Sequence, residues 1–290
     1  MLNDLNYLLY KINFVIFLIS TLFIMEKIKM SSKPLILVTN DDGVYAKGIR
    51  HLWQSIQDLA DLIIVAPQQE QSAVSLSITV RRPLHIEKVD WLNAQADVWS
   101  VNGTPADCVK LALNVVLPKR PQLIVSGINR GTNAGRNIFY SGTVAAIMEG
   151  VMQGIPGIAF SYGDYFNPSY HLIESFIPGI VNYALQNAMQ EGTFLNVNFP
   201  KTEHGPIKGI RLTTQGKEYW AENPEKRQHP AEQNSYYWLG SKLAEYDERE
   251  DSDIFLLRKG FATVVPLHIG DLTNHSHLLK EKLAFETFVN

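Results

Sequence analysis

Residues 35–44, LILVTNDDGV, run from an unbroken apolar stretch straight into two adjacent carboxylates, Asp41 and Asp42, and a glycine. Leu35, Ile36, Leu37 and Val38 have the length and branched side chains of a strand buried on both faces, as a parallel sheet requires. The end of such a strand lies at the carboxyl edge of the sheet. In open α/β folds ligands bind outside that edge, because the loops leaving it carry chemistry on a rigid support. Two carboxylates side by side repel one another unless something positive lies between them. A hard divalent cation, which favours oxygen ligands, is the simplest partner. The same letters also suit a plain strand-to-helix turn in which Asn40 or an aspartate caps the next helix. Residues 35–44 by themselves leave both readings open.

The chain that follows repeats the pattern. Ile49, Leu52, Trp53, Ile56 and Leu59 fall at helical spacing over residues 47–59, and residues 62–65 make a second apolar strand that ends in Ala66-Pro67. Right-handed crossovers give successive parallel strands one polarity, so the loop PQQEQSAVS at 67–75 opens at the same edge as Asp41. Ser72, Ser75 and Ser77 are therefore candidates to face a cation, against the alternative of ordinary loop polarity. Residues 78–101 are β-like with a break at Pro83, and His85 reads as a half-buried strand residue. In GTPADCVKLAL, Thr104 suits an N-cap, Pro105 the first helical position and Asp107 the first turn. Cys108 then falls inside that helix as a buried structural cysteine.

A third strand over 122–125 runs into SGINRGTNAGRNIFYSGTVAAIMEG. By polarity this loop also opens beside the acidic pair. Ser126, Asn129, Asn133 and Asn137 supply neutral oxygens, and Gly127, Gly131 and Gly135 let the backbone approach a ligand. The spacing matches neither G-x-G-x-x-G nor G-x-x-x-x-G-K-[ST], so neither a dinucleotide fingerprint nor a Walker loop is present. Ser141, Gly142 and Thr143 open a small-residue helix over 144–153, and exposed N–H groups at a helix start make a phosphate seat. Arg130 and Arg136 are charged candidates there, or simply solvated loop residues. Strands at 157–160, 194–197 and 261–267 and helices at 171–189 and 274–287 complete the pattern. Residues 216–251 combine many charges with Tyr219, Trp220, Tyr236, Tyr237 and Trp238. So long a stretch predicts an extended hairpin arm that packs on another subunit or over the site. His275 and His277 read as surface residues.

The totals narrow the class. At 290 residues one large domain with extensions is expected, and a net charge of -3 leaves no basic excess for a nucleic-acid polymer. The single Cys108 excludes an intramolecular disulfide and any multi-cysteine metal site, and it suits a reducing cytoplasm. Residues 12–25, INFVIFLISTLFIM, form an apolar run that is short for a spanning helix, which needs about 20 residues. Residues 1–30 are thus read as a hydrophobic extension, from a mis-assigned start ahead of Met30 or from an anchor, and 31–290 as the folded domain. A membrane is a partner only if that extension is real.

Every candidate ligand at the edge is oxygen, which favours Mg²⁺ or Mn²⁺ over zinc and predicts metal-assisted hydrolysis or transfer at a phosphate ester. Asp41 or Asp42 is placed to accept a proton. NDDGVYAKGI, GTPADCVKLAL and GINRGTNAGRNIFYSGTVAAIMEG, with the spacing between them, closely resemble the SurE (survival protein E) family of nucleoside monophosphate phosphatases. The resemblance extends over about residues 34–272. It implies a Rossmann-like, mostly parallel sheet with helices on both faces, one divalent cation per subunit, and hydrolysis of 5′- and 3′-nucleotides, with short polyphosphate as a side substrate. Carried onto matching positions, the metal ligands are Asp41, Asp42, Ser72 and Asn129, and the phosphate-facing turn includes Ser141 and Gly142. It also implies a homodimer or homotetramer built by exchange of a carboxyl-terminal hairpin. The chain departs from the family pattern at Ala73, where a glycine usually follows the ligand serine, and in the apolar extension.

The rival readings are a phosphatase with an aspartyl-phosphate intermediate, whose D-x-D is not matched by adjacent aspartates, and a receiver-like or nucleotide-binding regulatory protein that holds a divalent metal without hydrolysis. A receiver needs a third aspartate at a later strand end, where this chain offers Ser72 and residues 126–129.

Overall fold

The computed structural model describes residues 33–289 apart from 92, 93, 95, 204, 222, 240, 241 and 271, so the apolar extension at 1–30 lies outside the described residues. The chain divides into two units, Met1–Pro34 and Leu35–Asn290. The second is built on a nine-stranded sheet of order β3-β4-β2-β1-β5-β6-β7-β13-β8. Its strands are β1 (Leu35–Thr39), β2 (Asp61–Pro67), β3 (Ile86–Val89), β4 (Asp97–Val101), β5 (Leu123–Arg130), β6 (Gly157–Tyr162), β7 (Thr193–Phe199), β8 (Ile210–Leu212) and β13 (Ala262–His268). β4, β2, β1, β5, β6 and β7 are mutually parallel, and antiparallel pairs occur only at the margins, β3 on β4 and β13 on β7.

The sequence reason for two-sided burial is visible along β1. Ile36 and Val38 belong to one apolar cluster, with Ile49, Leu52 and Ile56 of α1 (Lys47–Ile56) and Ile177, Ile180 and Val181 of α4 (Ile177–Gln186). Leu35 and Leu37 point the other way, into a cluster with Cys108 and Val109 of α2 (Pro105–Leu111) and Val144, Ala146 and Ile147 of α3 (Gly142–Met152). A strand with period two and no polar face can only be covered from both sides. β1 pairs with β2 on one side and β5 on the other, so the chain order reverses at β1. The crevice outside their carboxyl ends is the topological switch point.

The α2 start is as expected: Thr104 Oγ1 accepts from the Asp107 N–H at 3.1 Å and Asp107 Oδ2 accepts from the Thr104 N–H at 2.9 Å, a reciprocal capping box. Asp107 also takes the N–H and hydroxyl of Thr79, and these hydrogen bonds hold its carboxyl below the usual range despite burial. Cys108 is fully buried, which pushes its thiol up.

Elsewhere the elements differ from the periodicity. β5 continues past Val125 through Ser126 to Arg130, with a register irregularity between Ser126 and Asn129 against β6. Gly127 (φ +126°) lies so close to β6 that a Cβ would sit 2.3 Å from the Phe160 carbonyl oxygen. Among the described residues of 78–101 only β3 and β4 are strand; His85 precedes β3 and is exposed, its N–H donating to Asn102 Oδ1 at 2.7 Å. The stretch 171–189 is not one helix. Two 3₁₀ turns, Tyr170–Leu172 and Glu174–Phe176, precede α4, whose first turn carries Pro178; with no N–H to donate to the carbonyl four residues back, proline is tolerated in a first helical turn but breaks the ladder inside a helix.

The arm at 216–251 is a two-tier antiparallel hairpin: β9 (Tyr219–Ala221) pairs with β12 (Lys242–Ala244), and farther out β10 (Glu225–Gln228) pairs with β11 (Ser235–Trp238). A short helix, α5 (Asp253–Arg258), follows it. The terminal α6 (His275–Val289) has no buried residue, and His275 and His277 are exposed. Among the described residues no helix is long and apolar enough to cross a membrane.

Two glycines test the packing against each other. A Cβ at Gly48 in α1 would lie 2.0 Å from the Ile128 carbonyl oxygen, whereas one at Gly179 in α4 meets nothing within 4 Å. Gly48→Ala is expected to cost at least about 1–3 kcal/mol by overpacking, and Gly179→Ala to stabilise by about 0.5–1 kcal/mol through helix propensity. Urea melts of the two variants check both signs.

Candidate active site

The loop after β1 brings both carboxylates to the switch point. Asp41 is buried, and its backbone oxygen accepts from the Gln71 N–H at 2.7 Å, tying it to the loop that leaves β2. Thr143 Oγ1 donates to Asp41 Oδ1 in a close hydrogen bond. Burial and the neighbouring Asp42 charge together push the Asp41 carboxyl up to about 7, against partial relief from Thr143. Asp42 is also raised, by burial, and Arg130 opposes the rise: its N–H and Nε lie 3.3 Å from Asp42 Oδ2 and Oδ1. The same guanidinium donates through Nη2 to Glu70 Oε2 at 2.9 Å, and Glu70 Oε1 accepts the Ser72 hydroxyl at 2.6 Å. Ser72 is thereby linked to the acidic pair through Glu70 and Arg130, with its donor already used and its oxygen lone pairs left as acceptors.

Asn129 stands at the end of β5. Its Nδ2 donates to the carbonyls of Arg130 and Gly131 at 3.1 and 2.9 Å, which leaves Oδ1 as the atom to offer a cation. The backbone carries the ligand loop at a cost: Ala73 and Ser75 have φ of +57° and +52°, a region unfavourable for residues with a Cβ. Ala73 is the position where the family pattern has glycine.

Ser141 caps α3, its Oγ accepting from the Val144 N–H at 3.1 Å. Gly142 follows, in contact with the acidic pair: a Cβ would lie 2.8 Å from Asp41 Cβ and 2.9 Å from its Oδ2. Only glycine lets the helix start come this close. The Thr143 side chain is directed to Asp41, and its backbone belongs to the same first helical turn as Gly142, where the phosphate seat is expected.

Other candidates serve the scaffold. Ser75 Oγ donates to the Phe139 carbonyl at 2.8 Å, and the Ser77 carbonyl accepts the Thr104 hydroxyl at 2.7 Å. Asn133 joins β6 and β7 through Ser161, Asn196 and Asn198. Asn137 Oδ1 accepts the Trp220 N–H at 2.9 Å, and the Arg136 N–H donates to the Glu218 carbonyl at 2.9 Å, so this part of the glycine-rich loop grips the root of the arm. The Arg136 guanidinium lies over Tyr246, 5.6 Å from its ring centre. The sequence reading missed Glu70 and the pairing of Thr143 with Asp41. Glu70 was visible as a carboxylate two residues from Ser72 in a loop assigned to this edge.

The donor set fits a hard cation. Its carboxylates are Asp41 and Asp42, its neutral oxygens those of Ser72 and Asn129. The buried oxygens Thr39 Oγ1 and Asn40 Oδ1, at the end of β1, and Ser126 Oγ, within β5, have no hydrogen-bond partner. Among the described residues no group of three or more His, Cys, Asp and Glu side chains is arranged to hold a metal. Two carboxylates supplemented by neutral oxygens and phosphate is the pattern magnesium favours.

The family model described as "Survival protein SurE" matches residues 36–222. The chain is 42% identical over 245 residues to a protein named "5′-nucleotidase SurE" from Flavobacterium psychrophilum, covering 84% of this chain and 95% of that one. It is 39% identical over 251 residues to one of the same name from Thermosipho melanesiensis, covering 87% and 97%. The crystal structure of the SurE protein from Aquifex aeolicus superposes with a TM-score of 0.75 at 38% identity, over 87% of this chain and all of that one. With its motifs gathered at the switch point, and likeness to these proteins extending over most of its length, the chain belongs to the SurE family.

Proposed function

We propose that this chain is a nucleotidase that hydrolyses nucleoside 5′-monophosphates, and 3′-monophosphates and short polyphosphate as further substrates, with one Mg²⁺ or Mn²⁺ per subunit. The observation that carries the reading is identity of 42% with a relative named a 5′-nucleotidase, over 84% of this chain. Asp41, Asp42, Ser72 and Asn129 would hold the cation. When bound, such a cation neutralises phosphate oxygens and lowers the pKa of a coordinated water.

The protein's own groups do the rest. The start of α3, at Ser141 and Gly142, turns its N–H groups and dipole toward charge developing on the phosphoryl oxygens. A water attacks phosphorus, the ester P–O bond breaks, and the departing alkoxide takes a proton as the attacking water gives one up. Asp41 or Asp42 is the acceptor in reach of that exchange. Arg130 and Thr143 keep the two carboxylates in place while this happens. The exposed aromatic side chains of the arm, Trp220, Tyr237 and Trp238 among them, support assembly of a homodimer or homotetramer through residues 216–251. A single buried cysteine supports a cytoplasmic location.

The primary test is phosphate release from AMP, 3′-AMP and an aryl phosphate by protein starting at Met30, in Mn²⁺, Mg²⁺ or EDTA. Metal-dependent release from the nucleotides is expected; folded protein inert under every metal would overturn the assignment. Asp41→Asn removes one cation-binding charge and is expected to lower kcat by at least about 10³-fold, on the scale of losing a main electrostatic group, with the melting temperature retained. Gly142→Ala, whose Cβ meets Asp41, should weaken cation binding as well as turnover, measured by Mn²⁺ titration.

The pH dependence has a definite sign. Without a cation Asp41 keeps its proton up to about pH 7, whereas the unfolded chain ionises near the ordinary 3.8. Its raised value therefore makes the cation-free fold lose stability as pH climbs from about 4 to 7. A cation must displace that proton, so Mn²⁺ affinity should fall by up to about tenfold per unit below pH 7 and level off above it. Calorimetric titration between pH 5.5 and 8.5 reads this directly, and a flat profile would contradict it.

A further inference from the structure

The loop that leaves β6 ends beside the acidic pair and carries two adjacent aromatic residues, Tyr165 and Phe166, with exposures of 49% and 83%. Their rings meet edge to face, centroids 5.3 Å apart at 85°. The loop holds them in place: Asp164 Oδ1 accepts from the N–H groups of Phe166 and Asn167 at 3.1 Å each. Gly131, next but one after Asn129, passes against the Tyr165 ring, where a Cβ would come within 3.4 Å of Cδ2. Burial does not explain this pair, since Phe166 covers almost nothing.

Position does. The Arg130 guanidinium lies 5.3 Å from the Tyr165 ring centre, and its Nε is 3.3 Å from Asp42 Oδ1. The ring centre is therefore within about 10 Å of the Asp42 carboxylate, allowing for one C–N bond. A ribose spans such a gap when its phosphate is at the acidic pair and its base at the far end. Arg130 occupies the middle, with one side on the carboxylate and the other on the aromatic face.

We propose that Tyr165 and Phe166 are the stacking platform for the nucleobase of the substrate. This rests on the nucleotidase reading and deepens it. Aromatic stacking is tolerant of base identity because every base has a π-face. The described loop offers the base aromatic faces rather than a set of buried hydrogen-bonding groups, so recognition is of a nucleoside as such, with purines favoured over pyrimidines by their larger face. Ribose 5-phosphate, which shares the phosphate and the sugar, lacks the part this platform holds.

The test compares kcat/KM for AMP, CMP and ribose 5-phosphate, with Mn²⁺ present, in the wild-type protein and in Phe166→Ala, Tyr165→Ala and Tyr165→Phe. AMP binding in EDTA is followed in parallel by calorimetry. The ratio of AMP to ribose 5-phosphate should fall about tenfold or more in each alanine variant, the loss of one base-aromatic contact, and Tyr165→Phe should keep it. An unchanged ratio in both alanine variants, from a wild type that hydrolyses and binds AMP, would overturn the platform and leave the nucleotidase reading standing. A wild type that neither binds nor hydrolyses AMP would overturn both. Phe166 is so exposed that its alanine variant loses little packing beyond the Tyr165 edge, which keeps the ratio readable if Tyr165→Ala proves unstable.

Discussion

Asp41 and Asp42 repel one another inside a fold that has removed much of the water between them, and a large part of the surrounding structure answers that repulsion. Burial pushes both carboxyls up. Thr143 donates to one, Arg130 to the other, and Glu70 balances the far side of Arg130. Two carboxyls held in this way would be neutralised together by the divalent cation proposed above, which would replace a proton and a costly charge pair with one centre. The arrangement depends on Gly142, since a helix bearing any side chain there could not start against Asp41.

The fold makes this possible by its strand order. β1 is flanked by β2 and β5, so three loops leave neighbouring carboxyl ends and can share one ligand. The loop after β1 brings charge, the loop after β2 brings Ser72 and Glu70, and the end of β5 with the loop after it brings Asn129 and the helix start at Ser141. The rest of that third loop faces away. Gly135, Arg136 and Asn137 hold the arm through Gln215, Glu218 and Trp220, so a single glycine-rich segment supports the site at one end and the arm at the other.

Much of this was legible in advance. The β1 strand, the polarity of its neighbours and the Thr104 cap followed from short-range patterns, since period, capping and loop polarity are local properties. The misses share a cause. The helix read over 171–189 obeyed its apolar spacing but was broken ahead of Pro178. β5 ran past its apolar residues because Ser126 and Asn129 find partners in β6. His85 alternated with apolar neighbours yet lies outside the sheet. In each case a contact distant in sequence, or a backbone restriction, overrode a pattern read along the chain.

The division at the site is sharper still. Residue order by itself determined that two carboxylates end a buried strand, and that hydroxyl and amide oxygens with a capped helix start leave the same edge, because parallel strands joined by right-handed crossovers have one polarity. It could not sort those residues by task. Asn129 and Asn137 look alike in the sequence, yet one turns its amide nitrogen to the Gly131 carbonyl and the other gives its amide oxygen to Trp220. Thr143 reads as part of a helix start, and its hydroxyl holds Asp41. Only the tertiary structure decides such cases, because a polar side chain takes whichever partner the packed backbone brings within hydrogen-bonding distance, and those partners lie up to 102 residues away in the chain.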